Sequence, residues 1–299
     1  MAGDLLGPEP SRQVRALGMT TNIGRANARR IELRGFDLVD DLIGKVSYAE
    51  ALLLAVTGRR PTRAEVGALD AVLVSLIDHG MQPSALAARL TYSGAPDAVQ
   101  GAMAAGLLGA GSSLLGSMEQ VGRLLHDIGE AVRAGTDPRS AAKREVTRIL
   151  EETRRVPGFG HRLHHDGDPR GTRLLQVAQE LGVASEEMSW LALVGAEIEA
   201  QTGRRVAVNA TGAAAAILLG IGVPWRLQRG VAIVSRAAGL LAHIGEEIES
   251  PITPAVRSAL RVASWLDDEE PDAGDRGKGR YGKENGRPDE HGEEGDLDA

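Results

Sequence analysis

A run of glycines inside an otherwise helical stretch constrains the fold more than any other feature of this chain. Residues 98–117 contain five glycines, separated mainly by alanine, leucine and serine. Each glycine weakens an exposed helix by roughly 1 kcal/mol relative to alanine. The same residues let two helices approach closely where they cross. The segment therefore predicts a helical fold in which helices pack backbone to backbone.

Composition and periodicity extend this prediction to the whole chain. Aromatic residues make up only 3% of the sequence, which suits close helix packing better than a β-sandwich. Across residues 64–79 the apolar positions recur at spacings of three and four, as on the buried face of a helix. These positions are Val66, Leu69, Val72, Leu73, Leu76 and Ile77. We therefore predict an all-α fold.

Charge is distributed very unevenly along the chain. The formal net charge is −7, yet residues 267–299 alone contain 13 acidic and 5 basic side chains, a net charge of −8. Residues 1–266 therefore carry a net charge of +1. The acidic tail has too little apolar surface to offset its chain entropy, so it is predicted to be disordered. Because no basic stripe with interleaved aromatic residues is present, a nucleic-acid partner is not expected.

The absence of cysteine gives no support to an oxidising compartment and excludes chemistry that depends on a thiol side chain. The chain has no cysteine and therefore no disulfide, no thiolate nucleophile and no cysteine metal ligand. The first residues show no signal-peptide pattern, and no apolar run is long enough to span a bilayer. We expect a cytoplasmic protein with no metal and no membrane partner.

Residues 156–170 form a polar segment between two helical stretches. Pro157 and Gly158 interrupt the preceding helix, and Gly158 and Gly160 leave the backbone open to a ligand. His161 can exchange a proton near neutral pH, and the guanidinium fork of Arg170 suits a carboxylate. The segment could be a surface loop. Bare backbone, a titratable ring and an arginine together favour a site for an anionic ligand instead.

The same segment resembles the signature of a known family. Pro157-Gly158-Phe159-Gly160-His161, followed by Asp168-Pro169-Arg170, is similar to the signature of the citrate synthase superfamily. The short chain is most similar to the citryl-CoA lyase branch, which is related to the citrate synthase-like module of ATP-citrate lyase. The resemblance implies that His161 polarises a carbonyl or hydroxyl and that Arg170 holds a substrate carboxylate. It also implies that Val156, Gly158 and Gly160 lie along coenzyme A.

Two further stretches resemble the same family. Asp78-His79-Gly80 resembles the segment with the first substrate histidine, which implies that His79 contacts the oxaloacetate or citrate end of the ligand. By itself, His79 could equally be a histidine favoured by a helix C-terminus. Arg236, in an Arg-x-x-Gly…Ala-His pattern that ends at His243, is implied to be a second carboxylate-binding arginine. Its alternative is an arginine that snorkels from a buried helix.

One position departs from the pattern of the lyase branch. The lyase branch usually has Asn-Val-Asp-Gly, with the aspartate acting on the carbon acid, where this chain has Asn209-Ala210-Thr211-Gly212. Thr211 is the candidate catalytic residue at that position. A threonine hydroxyl can donate and accept a hydrogen bond but cannot be a carboxylate base at pH 7.

The resemblance implies a reaction that makes or breaks the C–C bond between an acetyl-CoA unit and oxaloacetate. Citrate or oxaloacetate and an acyl-CoA would be substrates, with no permanently bound cofactor. If the chain is active, Asp166, Glu197 or Glu246 could replace the missing aspartate, and the sequence does not choose among them. The alternatives are a related reaction on a different carboxylic acid, and a catalytically silent homologue or partner subunit that binds coenzyme A or a carboxylate.

The resemblance also implies a domain organisation. Residues 1–117 and 225–266 would form a large helical domain, and residues 118–224 a smaller inserted helical domain. The ligand site would lie in the cleft between them. A homodimer is implied as well, with the glycine-rich segment 98–117 suited to close crossing between subunits.

Overall fold

Helices dominate the computed structural model, which describes residues 21–160 and 167–263. In these ranges no helix combines the length and apolar character needed to cross a membrane. The predicted disordered tail, residues 267–299, lies outside the described residues. The described α-helices are α1 (Tyr48–Thr57), α2 (Arg63–Leu76), α3 (Pro83–Gly94), α4 (Val99–Leu108), α5 (Ser112–Arg133), α6 (Pro138–Thr153), α7 (Pro169–Glu180), α8 (Glu186–Thr202), α9 (Ala210–Gly220), α10 (Trp225–Glu249) and α11 (Thr253–Ala263).

A small antiparallel sheet precedes the first helix. Its strands β1 (Gly24–Ala26), β2 (Ile31–Leu33) and β3 (Phe36–Asp37) lie in the order β1-β2-β3. Arg34 and Gly35 both adopt positive φ, at 53° and 86°, which gives the tight turn between β2 and β3. A π-helical turn, Leu38–Leu42, follows at once. The sequence does not predict these strands, because segments of two or three residues are too short to show a periodicity.

Side-chain caps determine where several helices begin. Thr62 and Glu65 form a reciprocal capping box at the start of α2. Asp137 and Asn209 accept backbone N–H bonds at the starts of α6 and α9. At the other end of α8, Gly203 takes the left-handed conformation, as the sequence predicts for a helix that stops there.

The glycine-rich segment 98–117 is not one helix. It forms all of α4 and the start of α5, with a break at residues 109–111. A Cβ on Gly106 would lie 2.8 Å from Leu240 Cδ1 and 3.0 Å from Ala88 Cβ. The close crossing at Gly106 is therefore made within the chain, where α4 packs against α3 and α10. The homodimer stays a prediction.

Helix α9 lies at the centre of the main core. It packs against α5, α7 and α8, and Ala213–Ala216 have no exposed surface. A helix buried on all sides needs small or apolar side chains all round. Half-buried Thr211 and buried Gly212 lie in the first turn of this helix.

Helix α10 spans 25 residues and packs against α2, α3, α4 and α5. The described residues divide into two units between Thr253 and Pro254, so α11 begins at the last residue of the first unit. The inserted-domain organisation, with residues 118–224 between two parts of a larger domain, stays a prediction.

Candidate functional site

Backbone hydrogen bonds join the predicted ligand loop to the start of α9. Gly160 N donates to Ala207 O at 2.8 Å, and Asn209 N donates to Gly158 O at 3.0 Å. The side chain of Asn209 adds a third bond, from Nδ2 to Gly160 O at 2.9 Å. The loop and the Asn209–Gly212 turn are therefore one connected structure, although about fifty residues separate them in sequence.

Two glycines make this contact possible. A Cβ on Gly158, whose φ is +86°, would lie 2.6 Å from Val121 Cγ2 and 3.0 Å from Gly212 Cα. A Cβ on Gly212 would lie 2.5 Å from Gly158 O. Neither position accommodates a larger residue without displacing backbone. Half-buried Thr211 is thus held beside the loop.

Asp168 connects the same region to α7, a role that the sequence motif Asp168-Pro169-Arg170 does not by itself predict. Its side chain caps α7 and accepts a bond from Ala210 N at 3.0 Å. It also forms a two-bond ion pair with Arg170, with Nε at 3.1 Å and Nη2 at 3.0 Å. Burial opposes ionisation, but the bonds from Arg170 and Ala210 lower the pKa of Asp168 to about 2. The signal available in the sequence was an aspartate directly before proline, at a helix start.

Arg170 is therefore oriented before any substrate arrives. Asp168 holds two of its guanidinium nitrogens, and the arginine side chain is 35% exposed. A guanidinium has five N–H donors. The donors of Arg170 that do not bond Asp168 can therefore still bind an anion. This arrangement is compatible with the predicted binding of a carboxylate.

Arg236 is a buried cation. It is only 7% exposed, and its Nε makes no hydrogen bond to any described residue. Burial and the positive charge of Arg170 lower its pKa, while the charge of Asp78 acts in the opposite direction. Arg236, Asp78 and Arg170 therefore interact electrostatically. Snorkelling alone does not explain Arg236, because its Nε is buried without a hydrogen bond to any described residue.

The unpaired nitrogen of Arg236 has an energetic consequence. A buried donor without a partner costs about 1–3 kcal/mol, and more when the group is charged. An anionic ligand that accepts from Nε would remove this penalty. Arg236 therefore has an energetic reason to bind an anionic ligand.

His79 lies in the short segment after α2. The helix ends at Leu76, and exposed His79 follows three residues later, outside the helix. Asp78 Oδ2 accepts from Gly80 N at 2.8 Å, and Asp78 Oδ1 lies 2.9 Å from His243 Nε2. Because Arg236 interacts with Asp78, the segment that carries His79 lies close to Arg236.

Of the other predicted catalytic residues, His161 and Asp166 lie outside the described residues. Glu197 is buried and accepts from Arg139 Nε at 3.0 Å, and Glu246 Oε2 lies 2.7 Å from Arg89 Nη1. Both glutamates are therefore already paired with arginines. Among residues 21–160 and 167–263, no three histidine or acidic side chains converge in a way that could hold a metal ion.

A cavity of about 890 Å³ lies beside the loop. Its wall combines apolar side chains with three arginines, Arg154, Arg155 and Arg204. The predicted coenzyme A residues Val156 and Gly160 belong to the same wall. The remaining lining residues are Leu150, Phe159, Ile198, Thr202 and Val206. Three cations above an apolar wall suit a ligand with several phosphates and an apolar part.

Arg154 adopts an unusual backbone conformation at this cavity. It ends α6 with φ 57°, in the left-handed region that normally favours glycine. A non-glycine residue there costs of order 1 kcal/mol. The cost is consistent with a use for its side chain, which lines the cavity.

Comparison with known proteins identifies the family. The sequence profile described as "Citrate synthase, C-terminal domain" matches residues 16–257, so the chain belongs to the citrate synthase family. The predicted resemblance and the predominantly helical, citrate synthase-like fold are both confirmed.

One similar solved structure belongs to the branch that the sequence indicated. Citryl-CoA lyase from Hydrogenobacter thermophilus is 33% identical, with a TM-score of 0.70, over 91% of this chain and 96% of that one. ATP citrate lyase from Methanothrix soehngenii, solved in complex with citrate and coenzyme A, matches with a TM-score of 0.66. Its identity is only 18%, over 81% of this chain and 42% of that one, so it shows the fold alone.

Full citrate synthases are longer than this chain. Citrate synthase 2 from Bacillus subtilis is 30% identical over 68% of this chain and 52% of its own length. Citrate synthase from Haloferax volcanii is also 30% identical, over 72% of this chain and 55% of its own length. The chain thus spans about half the length of the curated relatives it matches.

Proposed function

We propose that this chain makes or breaks the C–C bond between an acetyl-CoA unit and oxaloacetate, as a citryl-CoA lyase-like enzyme. The observation that carries the proposal is Arg236, a buried arginine with an unpaired Nε that interacts with Arg170 and lies on the side of α10 that holds the His79 segment. Two such cations suit a substrate with several carboxylates. The 33% identity to a citryl-CoA lyase over nearly the full length of both chains supports the same reaction.

In this proposal the two arginines bind the substrate carboxylates, and the histidines contact the substrate's oxygen atoms. Arg170 and Arg236 hold the carboxylates of the oxaloacetate or citryl unit. His79 contacts the same end of the substrate, and His161 acts on its hydroxyl or carbonyl. Thr211, beside the loop, can hydrogen-bond the acyl unit but cannot be its carboxylate base.

In the cleavage direction, a base removes the hydroxyl proton of citryl-CoA, and the hydroxyl carbon becomes the keto carbon of oxaloacetate. The electrons of the broken C–C bond pass to the thioester, giving an enolate. The enolate takes up a proton to become acetyl-CoA. Hydrogen-bond donors that point at the enolate oxygen stabilise it, and a base beside the hydroxyl oxygen takes the hydroxyl proton.

Coenzyme A is proposed to occupy the cavity of about 890 Å³ as part of a substrate, not as a permanent cofactor. Its phosphates would meet Arg154, Arg155 and Arg204, while the apolar wall would contact the rest of the molecule. Val156, Gly158 and Gly160 would lie along it on the way to Thr211.

The proposal is tested with citryl-CoA cleavage, followed as oxaloacetate release, beside thiol release from acetyl-CoA and oxaloacetate. Arg170→Ala should weaken oxaloacetate or citrate binding about 10- to 150-fold, because a charge-assisted contact worth roughly 1.5–3 kcal/mol is lost. The matched control is Arg173→Ala on the same helix, whose exposed side chain pairs with Glu180. A wild type that neither turns over nor binds coenzyme A in calorimetry would refute the enzyme.

A catalytically silent subunit that binds coenzyme A or a carboxylate is the second candidate. It is favoured by Thr211 in place of the aspartate and by the pairing of the described candidates Glu197 and Glu246 with arginines. Binding of coenzyme A and citrate without turnover would support it. Turnover with another carboxylic acid, in a panel of acids offered with acetyl-CoA, would instead support a related acyl-CoA enzyme.

We also propose a cytoplasmic homodimer of two-domain subunits, with residues 118–224 as the smaller domain. The family resemblance and the absence of cysteine support these assignments. Closure of the smaller domain over the ligand would exclude water from the reaction. Light scattering that shows only monomer at micromolar concentration would contradict the homodimer.

A further inference from the structure

One face of α10 holds the segment that carries His79. Arg236, Gly239 and His243 recur at spacings of three and four, so they share a face of the helix. The carbonyl of Ile77 lies so close to Gly239 that any Cβ there would collide with it. The same face interacts with Asp78 twice, through the charge of Arg236 and through the ring of His243.

The Asp78 carboxylate is shared between the segment and the helix. Oδ2 accepts from the backbone N–H of Gly80 at 2.8 Å, and Oδ1 lies 2.9 Å from His243 Nε2. Partial burial opposes ionisation, but these bonds, with that of Gly80 foremost, lower the pKa of Asp78. An ionised carboxylate can only accept, so His243 donates from Nε2. The two oxygens thus link the backbone beyond His79 to α10.

His243 has few other partners that could explain its position. Its side chain is 13% exposed, and its Nδ1 is buried without a hydrogen bond to any described residue. Glu246 Oε2 lies 3.7 Å from Nδ1, but the same oxygen lies 2.7 Å from Arg89 Nη1. Asp78 is therefore the hydrogen-bonding partner that orients the ring of His243.

We propose that His243 and Asp78 form a positioning pair that fixes the His79 segment against Arg236. The pair acts through the next residue, His79, and through the charge that Asp78 places near Arg236, and it does not itself touch substrate. The inference rests on the proposed function for its ligand, because His79 and Arg236 are assigned there to the oxaloacetate or citrate end.

Two substitutions of His243 distinguish a role in positioning the His79 segment from a role in packing alone. His243→Ala removes the donor to Asp78. His243→Gln can place an amide N–H near the position of Nε2 and keep that donor. His126→Ala is the matched control, because His126 is another half-buried histidine, which lies on α5 beside Trp225 and outside the site.

The first readout needs no ligand and no activity. The chain has seven histidines, and the ring signal of His79 in proton–carbon NMR spectra is identified as the one lost in His79→Ala. We expect this signal to shift or broaden in His243→Ala, to return towards its wild-type position in His243→Gln, and to stay unchanged in His126→Ala. A His79 signal unaffected by His243→Ala would overturn the positioning pair, whatever the enzyme's activity.

The second readout is kinetic. In His243→Ala we expect kcat to fall by up to about 100-fold, the effect of misplacing a catalytic group by about 1 Å, and KM for oxaloacetate to rise. KM for acetyl-CoA should stay within about twofold of wild type, because the cavity is formed by other elements. His243→Gln should recover most of the loss.

The two readouts also separate this inference from the proposed function. If wild type has no turnover and binds neither citrate nor oxaloacetate, the proposed function fails, while the His79 signal still decides the pair. If wild type is active and His243→Ala lowers its melting temperature without changing kcat or the His79 signal, His243 is merely structural and the inference fails.

Discussion

At the scale of single residues, the proposed site separates groups that would bind substrate from groups that would transfer protons. Arg170 and Arg236 are cations in a partly buried region, as carboxylate binding requires. Thr211 occupies the first turn of α9, where a carboxylate would receive support from the helix dipole. The nearby Asp168 has a pKa of about 2, and its carboxylate accepts hydrogen bonds from Arg170 and Ala210. Both properties make it a poor base.

Thr211→Asp tests whether the missing carboxylate limits activity. The first turn of α9 tolerates negative charge, although Asp168 at Ala210 N adds some repulsion, so the loss of stability should be small. If wild type is inactive, we expect the variant to gain citryl-CoA cleavage or acetyl-CoA condensation, by the 10²- to 10⁴-fold typical of general-base catalysis. Thiol and oxaloacetate release measure the gain. Thr211→Asn is the control without charge, and equal gains in both variants would contradict a base at this position.

At the scale of the elements, the sequence predicts the helices well where local signals suffice. Ser185 and Gly203 bracket α8 correctly, although Ser185 makes no capping bond in the described residues. The break between α4 and α5 was missed, because a glycine-rich helix and a glycine-rich turn have similar compositions. Asp168 and His243 belong to the quoted motifs, but the sequence assigns neither of them a role in the site. Their partners Ala210 and Asp78 are 42 and 165 residues away, and pairing at such distances leaves no local pattern.

The end of α6 offers a test of the proposed coenzyme A cavity. Arg154→Gly relieves the left-handed backbone strain, which should raise the free energy of unfolding by up to about 1 kcal/mol. The same change removes one of three cations from the cavity, so coenzyme A should bind about 10-fold more weakly. Thermal melting and calorimetry measure the two effects. Gly135→Ala changes a glycine with φ 94° in open space and should destabilise without affecting coenzyme A. Unchanged coenzyme A binding in Arg154→Gly would contradict this use of the cavity.

The crossing of α10 with the end of α2 is sensitive to a single methyl group. Gly239→Ala places a Cβ against the carbonyl of Ile77, so the helix must shift, and we expect a destabilisation of about 1–3 kcal/mol. Gly245→Ala is the matched control on the same helix, because its Cβ would meet nothing within 4 Å and alanine favours a helix by roughly 1 kcal/mol. Denaturant unfolding should show opposite signs for the two variants. The same sign in both would contradict the close approach at Gly239.

At the scale of the whole molecule, a buried ion pair ties the first third of the chain to the end of α10. Arg89, on α3, is 2% exposed and bonds Glu247 Oε2 at 2.7 Å and Ser250 O at 2.8 Å. Glu247 also accepts from the backbone and side chain of Thr253 and from Ser93. Because α10 presents Arg236 and His243 to the site, this cluster holds the far end of the helix on which the site depends.

Glu247 should make stability depend on pH in a defined window. Burial opposes its ionisation, but the N–H of Ile252 and then Arg89 and Ser93 outweigh it and lower the pKa from 4.5 to about 2. A lowered carboxyl pKa stabilises the folded state above the unfolded pKa, and the contribution is lost as pH falls from about 4.5 towards 2. The contribution is about 3 kcal/mol.

Glu247→Gln isolates this contribution from the other carboxylates. At pH 7 the variant removes one of the two carboxylates that pair with buried Arg89 and leaves Glu246, so we expect it to be about 3 kcal/mol less stable than wild type. Glu65 and Asp168 also have lowered pKa values and destabilise both proteins alike in acid, so the difference between the proteins reports Glu247. That difference should shrink steadily between pH 5 and about pH 2, as wild-type Glu247 takes up its proton. Urea unfolding across this range measures it, with Glu180→Gln, at an exposed pair, as a control that should change little. A Glu247→Gln difference that stays constant from pH 7 to pH 2.5 would show that the charge of Glu247 contributes nothing and that only its hydrogen bonds hold α10.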